Sequence, residues 1–380
     1  MVLKRLGHNV RILERNPTSV LDSRGAGIVA GGDLQAFLRK HDHSQHSVAV
    51  TSRLRHYLNR EGHEIHREDT VQQMTSWELI YHVLCANFDQ SIGKFYKTPE
   101  PQQGEGIAEY DFGNMVKGIK DLGDRVEVEY ENWEGKKETG KADLVVGADG
   151  PSSTMPKILL PNVKREYVGY VAWRGLVPEK GLSPAAQEAF IEKFTFFHSD
   201  GIQILAYLVP GRNGSLEAGE RMVNWVWYCN YAPDSDEYRD LMTDRNGHTH
   251  HFTLPVGLMK PEILQAQHRL AEETLPPQFA EIVCREEKPF VQAITDVISP
   301  RNSFFDGKVL LIGDAVAGFR PHTAAGTSQA AFDALKLEEL MRGEIDRDRW
   351  ERETMEYATS MQRRGVQLGE RSQFGRHALT

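Results

Sequence analysis

Two apolar spacings alternate along this chain. Val2 to Leu6 predicts the end of a helix stopped by Gly7, and Asn9 to Arg15 predicts a short strand that ends at Glu14-Arg15 before the break at Asn16-Pro17. Ser23 to Val29 predicts a loop running into a strand. Asp33 is the expected cap of a helix with Leu34, Phe37 and Leu38 on one face, and Ser76 of a second with Leu79, Ile80, Val83 and Leu84. Between them, His41 to Asp69 is polar, weakly periodic and rich in His and Arg. Asn114 to Ile119, Val126 to Asn132 and Lys137 to Lys141 alternate apolar and charged residues, as half-exposed strands do, with a turn at Glu134-Gly135. Ala142-Asp143-Leu144-Val145-Val146-Gly147 reads as a short continuous apolar run, the pattern of a strand covered on both faces. From Glu166 to Leu254 the texture is that of strands. Gly307 to Asp314 predicts another buried strand, followed by a loop, a helix over about 326–341, and a charged C-terminal helix with a Gln/Arg-rich tail.

Length turns these elements into lobes. The chain has 380 residues, and single cores stop growing at about 250–300 residues, so more than one lobe is expected. The pattern divides it into 1–165, a β-sheet lobe at 166–300, a return to the first lobe at 301–345, and a terminal helix and tail at 346–380. The fold class is α/β. A formal net charge of −9 argues against nucleic-acid or anionic-membrane binding. No apolar run approaches the roughly 20 residues that span a bilayer, and the first residues lack the apolar core of a signal peptide. Cys85, Cys229 and Cys284 are far apart, so neither a disulfide framework nor a thiolate metal site is expected, and a cytoplasmic setting follows. His41, His43 and His46, and His248, His250 and His251, lack a supporting helical carboxylate pair and are read as solvated loop rather than metal ligands.

The candidate chemistry lies where strands end. A helix end, a glycine, a strand and a terminal acid form the second half of a βαβ dinucleotide unit, in which the acid, here Glu14, meets the ribose hydroxyls; an ordinary strand-end acid is the plainer alternative. Gly147-Ala148-Asp149-Gly150 and Gly313-Asp314 share one logic: a buried strand, then a carboxylate among glycines, where α/β sheets bind ligands and backbone can approach them closely. Gly326-Thr327-Ser328 opens a helix, offering free amides and a positive dipole end. The aromatics Trp173, Phe194, Phe196, Phe197, Tyr207, Trp225, Trp227 and Tyr228 are read mostly as core, with one or two lining a pocket.

In this order the motifs resemble the FAD-dependent aromatic hydroxylases of the p-hydroxybenzoate hydroxylase type. Gly147 to Ser153 is similar to their Asp-Gly motif, and Gly313 to Gly326 to their Gly-Asp motif. Val171 to Gly175 and Arg320 to Gly326 look most like the dihydroxypyridine hydroxylase subgroup. The resemblance implies a Rossmann-like FAD-binding lobe, a β-sheet substrate lobe, and FAD as cofactor with NAD(P)H and O2 as co-substrates. It places Glu14, with Arg15 beside it, at the adenosine ribose, and Arg24 beside the pyrophosphate. Asp149 and Gly150 would flank the cofactor's middle, and Asp314, after Gly313, would meet its ribityl chain. Pro321 would lie over the flavin, with Gly326, Thr327 and Ser328 at its pyrimidine edge. His322 is the candidate base for a ring hydroxyl, with a backbone-bonded loop histidine as the alternative and Tyr207 as the second candidate.

Three departures stand out. Pro156 occupies the place of the family's motif-ending Arg, Ala317 that of its His, and Trp77 that of a helix Arg. No G-x-G-x-x-G turn of the right context occurs in the sequence. Without it and the strand before it, edges at Val10 to Leu13 and Val309 to Ile312 are expected to lack partners. Weak FAD binding and a marginal fold are then expected, relieved by roughly twenty-five upstream residues. The resulting expectation is a flavin-dependent monooxygenase hydroxylating a small hydroxylated aromatic or N-heteroaromatic ring, possible as a homodimer, with no nucleic acid, membrane or metal. The alternative is a defective flavoprotein-like remnant; a reductase or oxidase is a third reading.

Overall fold

The computed structural model describes residues 1–18, 27–44, 46–91, 98–150 and 154–375. Its largest sheet runs in the order Thr253–Leu254, Phe290–Ile298, Glu166–Pro178, Met222–Asn230, Ile202–Val209, Lys193–Ser199, Leu54–Leu58, Glu64–Glu68. Alternation along these strands separates two faces. One carries Val171, Trp173, Ile204, Leu208, Trp225 and Trp227, covered by Pro184–Phe190, Pro261–Thr274 and Pro277–Arg285. The other carries Tyr170, Ala172, Phe194, Phe196, Tyr207, Val226 and Tyr228. All the aromatics singled out in the sequence are buried.

The expected Rossmann-like lobe is built from shorter parallel pieces. Val10–Glu14 pairs in parallel with Ala108–Phe112, and Val145–Gly147 with Val309–Leu311. The expected open edge at Val309 to Ile312 is corrected: Val309–Leu311 has a neighbour on each side, because Ser303–Phe304 folds back against it. Among the described residues, Val145–Gly147 instead has one strand neighbour, as does Val10–Glu14. The helix Val2–Arg5 stops at Gly7, whose φ of +89° is the left-handed conformation glycine tolerates.

Two local expectations change. Asp33 does not cap its helix: Gly32–His41 begins after Gly31 with no side-chain cap, and Asp33 instead accepts a hydrogen bond from the Tyr357 hydroxyl at 3.0 Å. Within the polar stretch 41–69, the solvated-loop reading of the histidine cluster does not hold for His41. His41 is buried against Glu338 at 2.9 Å, and Leu54–Leu58 joins the large sheet in parallel with Lys193–Ser199. Ser76 does cap Trp77–Asp89, its hydroxyl accepting the Leu79 amide at 3.2 Å. Helix Gly326–Met341 starts and ends where the pattern placed it, and Arg347–Gln373 follows. No described helix is long and apolar enough to cross a membrane.

Candidate active site

The two strand-end carboxylates come together by register. Val145–Gly147 and Val309–Leu311 run in parallel with Gly147 opposite Leu311, so Asp149 and Asp314 leave the same end of the pair. Asp149 Oδ2 accepts the Thr154 and Met155 amides at 2.6 and 3.1 Å, fixing the start of Met155–Leu159. Gly150 has a φ of +73°, which excludes most side chains there. Asp314 lies in the short 3-10 turn Gly313–Ala315. Its Oδ1 is 3.5 Å from where a Cβ on Gly326 would sit, so the carboxylate lies over the start of helix Gly326–Met341. Burial pushes this carboxyl up to about 6, with Arg165 pulling the other way.

The same helix holds the turn from beneath. Asp333, which is buried, accepts the Gly313 amide at 2.8 Å, and the Gln329 amide reaches the Gly313 carbonyl at 3.3 Å. Burial pushes the Asp333 carboxyl up to about 7, offset in part by the Gly313 and Gln329 donors. No described side chain caps the first turn of 326–341, so the amides of Gly326, Thr327 and Ser328 keep the donor capacity of a helix start. Ser328 touches the chain at Gly31: a Cβ there would collide with the Ser328 hydroxyl.

The loop between the turn and this helix lies on the aromatic face of the large sheet. Pro321 opens the 3-10 turn Pro321–Thr323, and the His322 ring packs on Tyr228 with centroids 4.3 Å apart. His322 Nε2 is 3.0 Å from the Tyr170 hydroxyl. Burial, then the charges of Arg320 and Arg174, hold the imidazole down at about 3, so it is neutral at working pH. Arg320 anchors the loop: it is buried, donates to both oxygens of Asp296 at 2.6 to 3.1 Å, and meets Glu370 at 2.8 Å. Glycine at 369 lets helix Arg347–Gln373 approach, since a Cβ there would collide with the Tyr170 hydroxyl.

Tyr207 stands opposite Asn224 across neighbouring strands, and both lie against Gly27, whose amide donates to Asn224 Oδ1 at 2.9 Å. Burial pushes the Tyr207 phenol well above its ordinary value, with Arg174 opposing. Gly313, Asp314 and Gly326 thus lie together at the turn, Ser328 beside Gly31, His322 on Tyr228, and Tyr207 four residues further along the strand pair against Gly27. Glu14 and Arg15 sit apart, at the end of the 10–14 strand, where Glu14 Oε1 accepts the Asn16 amide at 2.8 Å. Arg24 lies outside the described residues. Arg174, Asn224, Tyr170 and Asp333 escaped the sequence reading as site residues. A charge or amide interrupting an apolar strand, as in Ala172-Trp173-Arg174 and Val223-Asn224-Trp225, was the available signal.

Comparison with known proteins agrees with this architecture. A family model described as FAD binding domain-like matches residues 167–296. The 2,6-dihydroxypyridine 3-monooxygenase of Paenarthrobacter nicotinovorans is 30% identical over 347 residues, 90% of this chain and 78% of that protein. The chain belongs to the FAD-dependent aromatic hydroxylases. The solved 2,6-dihydroxypyridine-3-hydroxylase from Arthrobacter nicotinovorans superposes with a TM-score of 0.84 at 26% identity, covering 98% of this chain and 89% of that one. Klebsiella pneumoniae HpxO, complexed with FAD and uric acid, shares the fold, with a TM-score of 0.68 at 17% identity over 99% of this chain and 91% of that one.

For this hydroxylase, the residues present fit the flavin end of FAD. Asp314 is a half-buried carboxylate with no hydrogen-bond partner among the described residues, which suits ribityl hydroxyls. The uncapped helix start beside it suits the electron-rich pyrimidine edge.

Proposed function

We propose that this chain inserts one oxygen atom from O2 into a small hydroxylated N-heteroaromatic ring, with NAD(P)H as the electron source. The observation that carries the reading is the buried Tyr207, Tyr228 and Asn224 with the half-buried Arg174 and His322, the last on a loop that runs from the Asp314 turn to the helix start at Gly326. When bound, FAD supplies the hydride acceptance and oxygen activation that no side chain can provide.

The chain's own residues bind, orient and shield. Asp314 would accept hydrogen bonds from the ribityl hydroxyls, and the Gly326, Thr327 and Ser328 amides would stabilise charge on the pyrimidine edge. Tyr207, Tyr228, Phe194 and Phe196 form an aromatic wall that keeps water from the reacting ring. Pro321 closes the pocket from the loop side. Glu14 and Arg15 serve the adenosine end, Arg24 the pyrophosphate, and Asp149 with Gly150 the middle of the cofactor. Asp149 acts there through the turn that it holds. His322 supports a ring oxygen by hydrogen bonding, because a neutral imidazole of such low basicity is a poor proton acceptor. Buried or half-buried free cysteines support a reducing, cytoplasmic setting, and a homodimer belongs to the same reading.

The test is to load the purified chain with FAD and follow NAD(P)H oxidation with 2,6-dihydroxypyridine, with phenols and with aliphatic ketones. Acceleration by the hydroxylated rings, with a product one oxygen heavier, is expected. Ketone-dependent turnover yielding an ester would overturn it.

A further inference from the structure

The aromatic face of the large sheet contains three buried nitrogens without partners among the described residues: Arg174 Nε, Asn224 Nδ2 and His322 Nδ1. They belong to one cluster. Arg174 acts electrostatically on Tyr207, Tyr228 and His322 alike, His322 packs on Tyr228, and Asn224 faces Tyr207 across the strand pair.

The hydrogen character of each nitrogen follows from its neighbours. Arg174 Nε is a donor by nature. Asn224 Oδ1 takes the Gly27 amide at 2.9 Å, which leaves Nδ2, a donor, near the Tyr207 hydroxyl with no hydrogen-bond partner among the described residues. His322 is set by a relay. Arg320, pinned by Asp296 and Glu370, holds its guanidinium beside Tyr170, where it offers the hydroxyl donors alone. A guanidinium has no acceptor, so the Tyr170 hydroxyl spends its own proton on His322 Nε2, 3.0 Å away. The ring is neutral, so its proton sits on Nδ1, as the third donor.

Unpaired buried donors are costly, and a ligand that satisfies them is strongly preferred over one that cannot. We propose that Arg174, Asn224 and His322 form a donor-only triangle that selects rings bearing acceptor oxygens, in the oxo or ionised form, and rejects rings of the same shape bearing amino donors. Tyr170 and Arg320 are positioning residues that fix which His322 nitrogen carries the proton. This inference rests on the hydroxylase reading and names how that site chooses its substrate.

The test measures equilibrium dissociation constants of 2,6-dihydroxypyridine and 2,6-diaminopyridine on the FAD-loaded protein by titration calorimetry. The dihydroxy ring is expected to bind at least about ten-fold more tightly. Asn224→Asp keeps the acceptor for the Gly27 amide but exchanges the donor for an acceptor, so the preference should shrink about ten-fold or reverse. Tyr170→Phe frees the His322 tautomer and should narrow the preference less, while leaving a folded protein if Asn224→Asp does not. An unchanged ratio in whichever variant folds overturns the donor triangle while the hydroxylase reading stands. Binding of neither ring by the wild-type protein, with no ring-stimulated NAD(P)H oxidation, overturns both.

Discussion

Asp333 Oδ2 accepts the amide of Gly313 at 2.8 Å, so the helix after the loop holds the turn before it. Among the described residues Asp333 Oδ1 is buried without a hydrogen-bond partner, and that imbalance explains why burial dominates its carboxyl and raises it to about 7. The folded value lies above the unfolded one of about 3.9. The stability this group contributes is therefore present below about pH 4 and lost as pH rises through about 7.

Asp333→Asn mimics the protonated acid and keeps an acceptor for Gly313. The variant should match wild type near pH 4 and exceed it by about 1–3 kcal/mol near pH 8, read as a higher Tm. Asp314, pushed up to about 6, acts in the same direction, but it cancels when the two proteins are compared at each pH. An equal margin at both pH values would show that Asp333 ionises without cost.

Asp314→Ala tests the ribityl assignment. Losing a charge-assisted hydrogen bond worth about 1.5–3 kcal/mol should weaken FAD binding by about one to two orders of magnitude. Flavin fluorescence titration reads this directly. A dissociation constant equal to wild type would remove Asp314 from the cofactor site.

The elements around Asp314 were legible because their signals are local: an apolar run, a Gly-Asp pair, a glycine and a helical period lie within thirty-odd residues from Gly307 to Met341. The same holds for Ser76 as a cap. Where partners are distant, local reading failed. His56 sits opposite Thr195 in a parallel pair, and the apolar surface that makes 54–58 a strand belongs to a segment far along the chain. Arg174 and Asn224 were hidden for a related reason. Each interrupts an apolar strand, but whether it faces core or pocket depends on register, which the sequence does not print. The open edge was misplaced because Ser303–Phe304 is too short to register as a strand.

His322 makes a pH prediction that separates donor from base. An imidazole held near 3 by burial stays neutral throughout the usable range. The affinity of the FAD-loaded protein for 2,6-dihydroxypyridine should therefore show no limb near the ordinary histidine value of about 6.5 beyond the ring's own ionisation. His322→Asn, which keeps a donor amide, should lower affinity by less than His322→Ala. A histidine-like limb that vanishes in both variants would restore His322 as the base.

The contact between Gly31 and Ser328 joins the first part of the chain to the helix start proposed to face the flavin. A methyl group at Gly31 would overlap the Ser328 hydroxyl, whereas it would lie 3.4 Å from the Ser328 Cβ, an ordinary contact. Gly31→Ala should therefore force the first turn of 326–341 to shift, costing about 1–3 kcal/mol as overpacking does. The shift acts on the Thr327 and Ser328 amides, so FAD affinity should fall with Tm. Ser328→Ala alone removes only the hydroxyl and keeps the backbone amide, and its effect on FAD binding should be small. The double variant Gly31→Ala/Ser328→Ala has room for both methyl groups and should recover most of the lost stability and flavin binding. The two substitutions are then coupled, which a double-mutant cycle reads as an interaction energy of about 0.5–3 kcal/mol. Additive effects, with no recovery in the double variant, would show that the helix start is placed by other contacts.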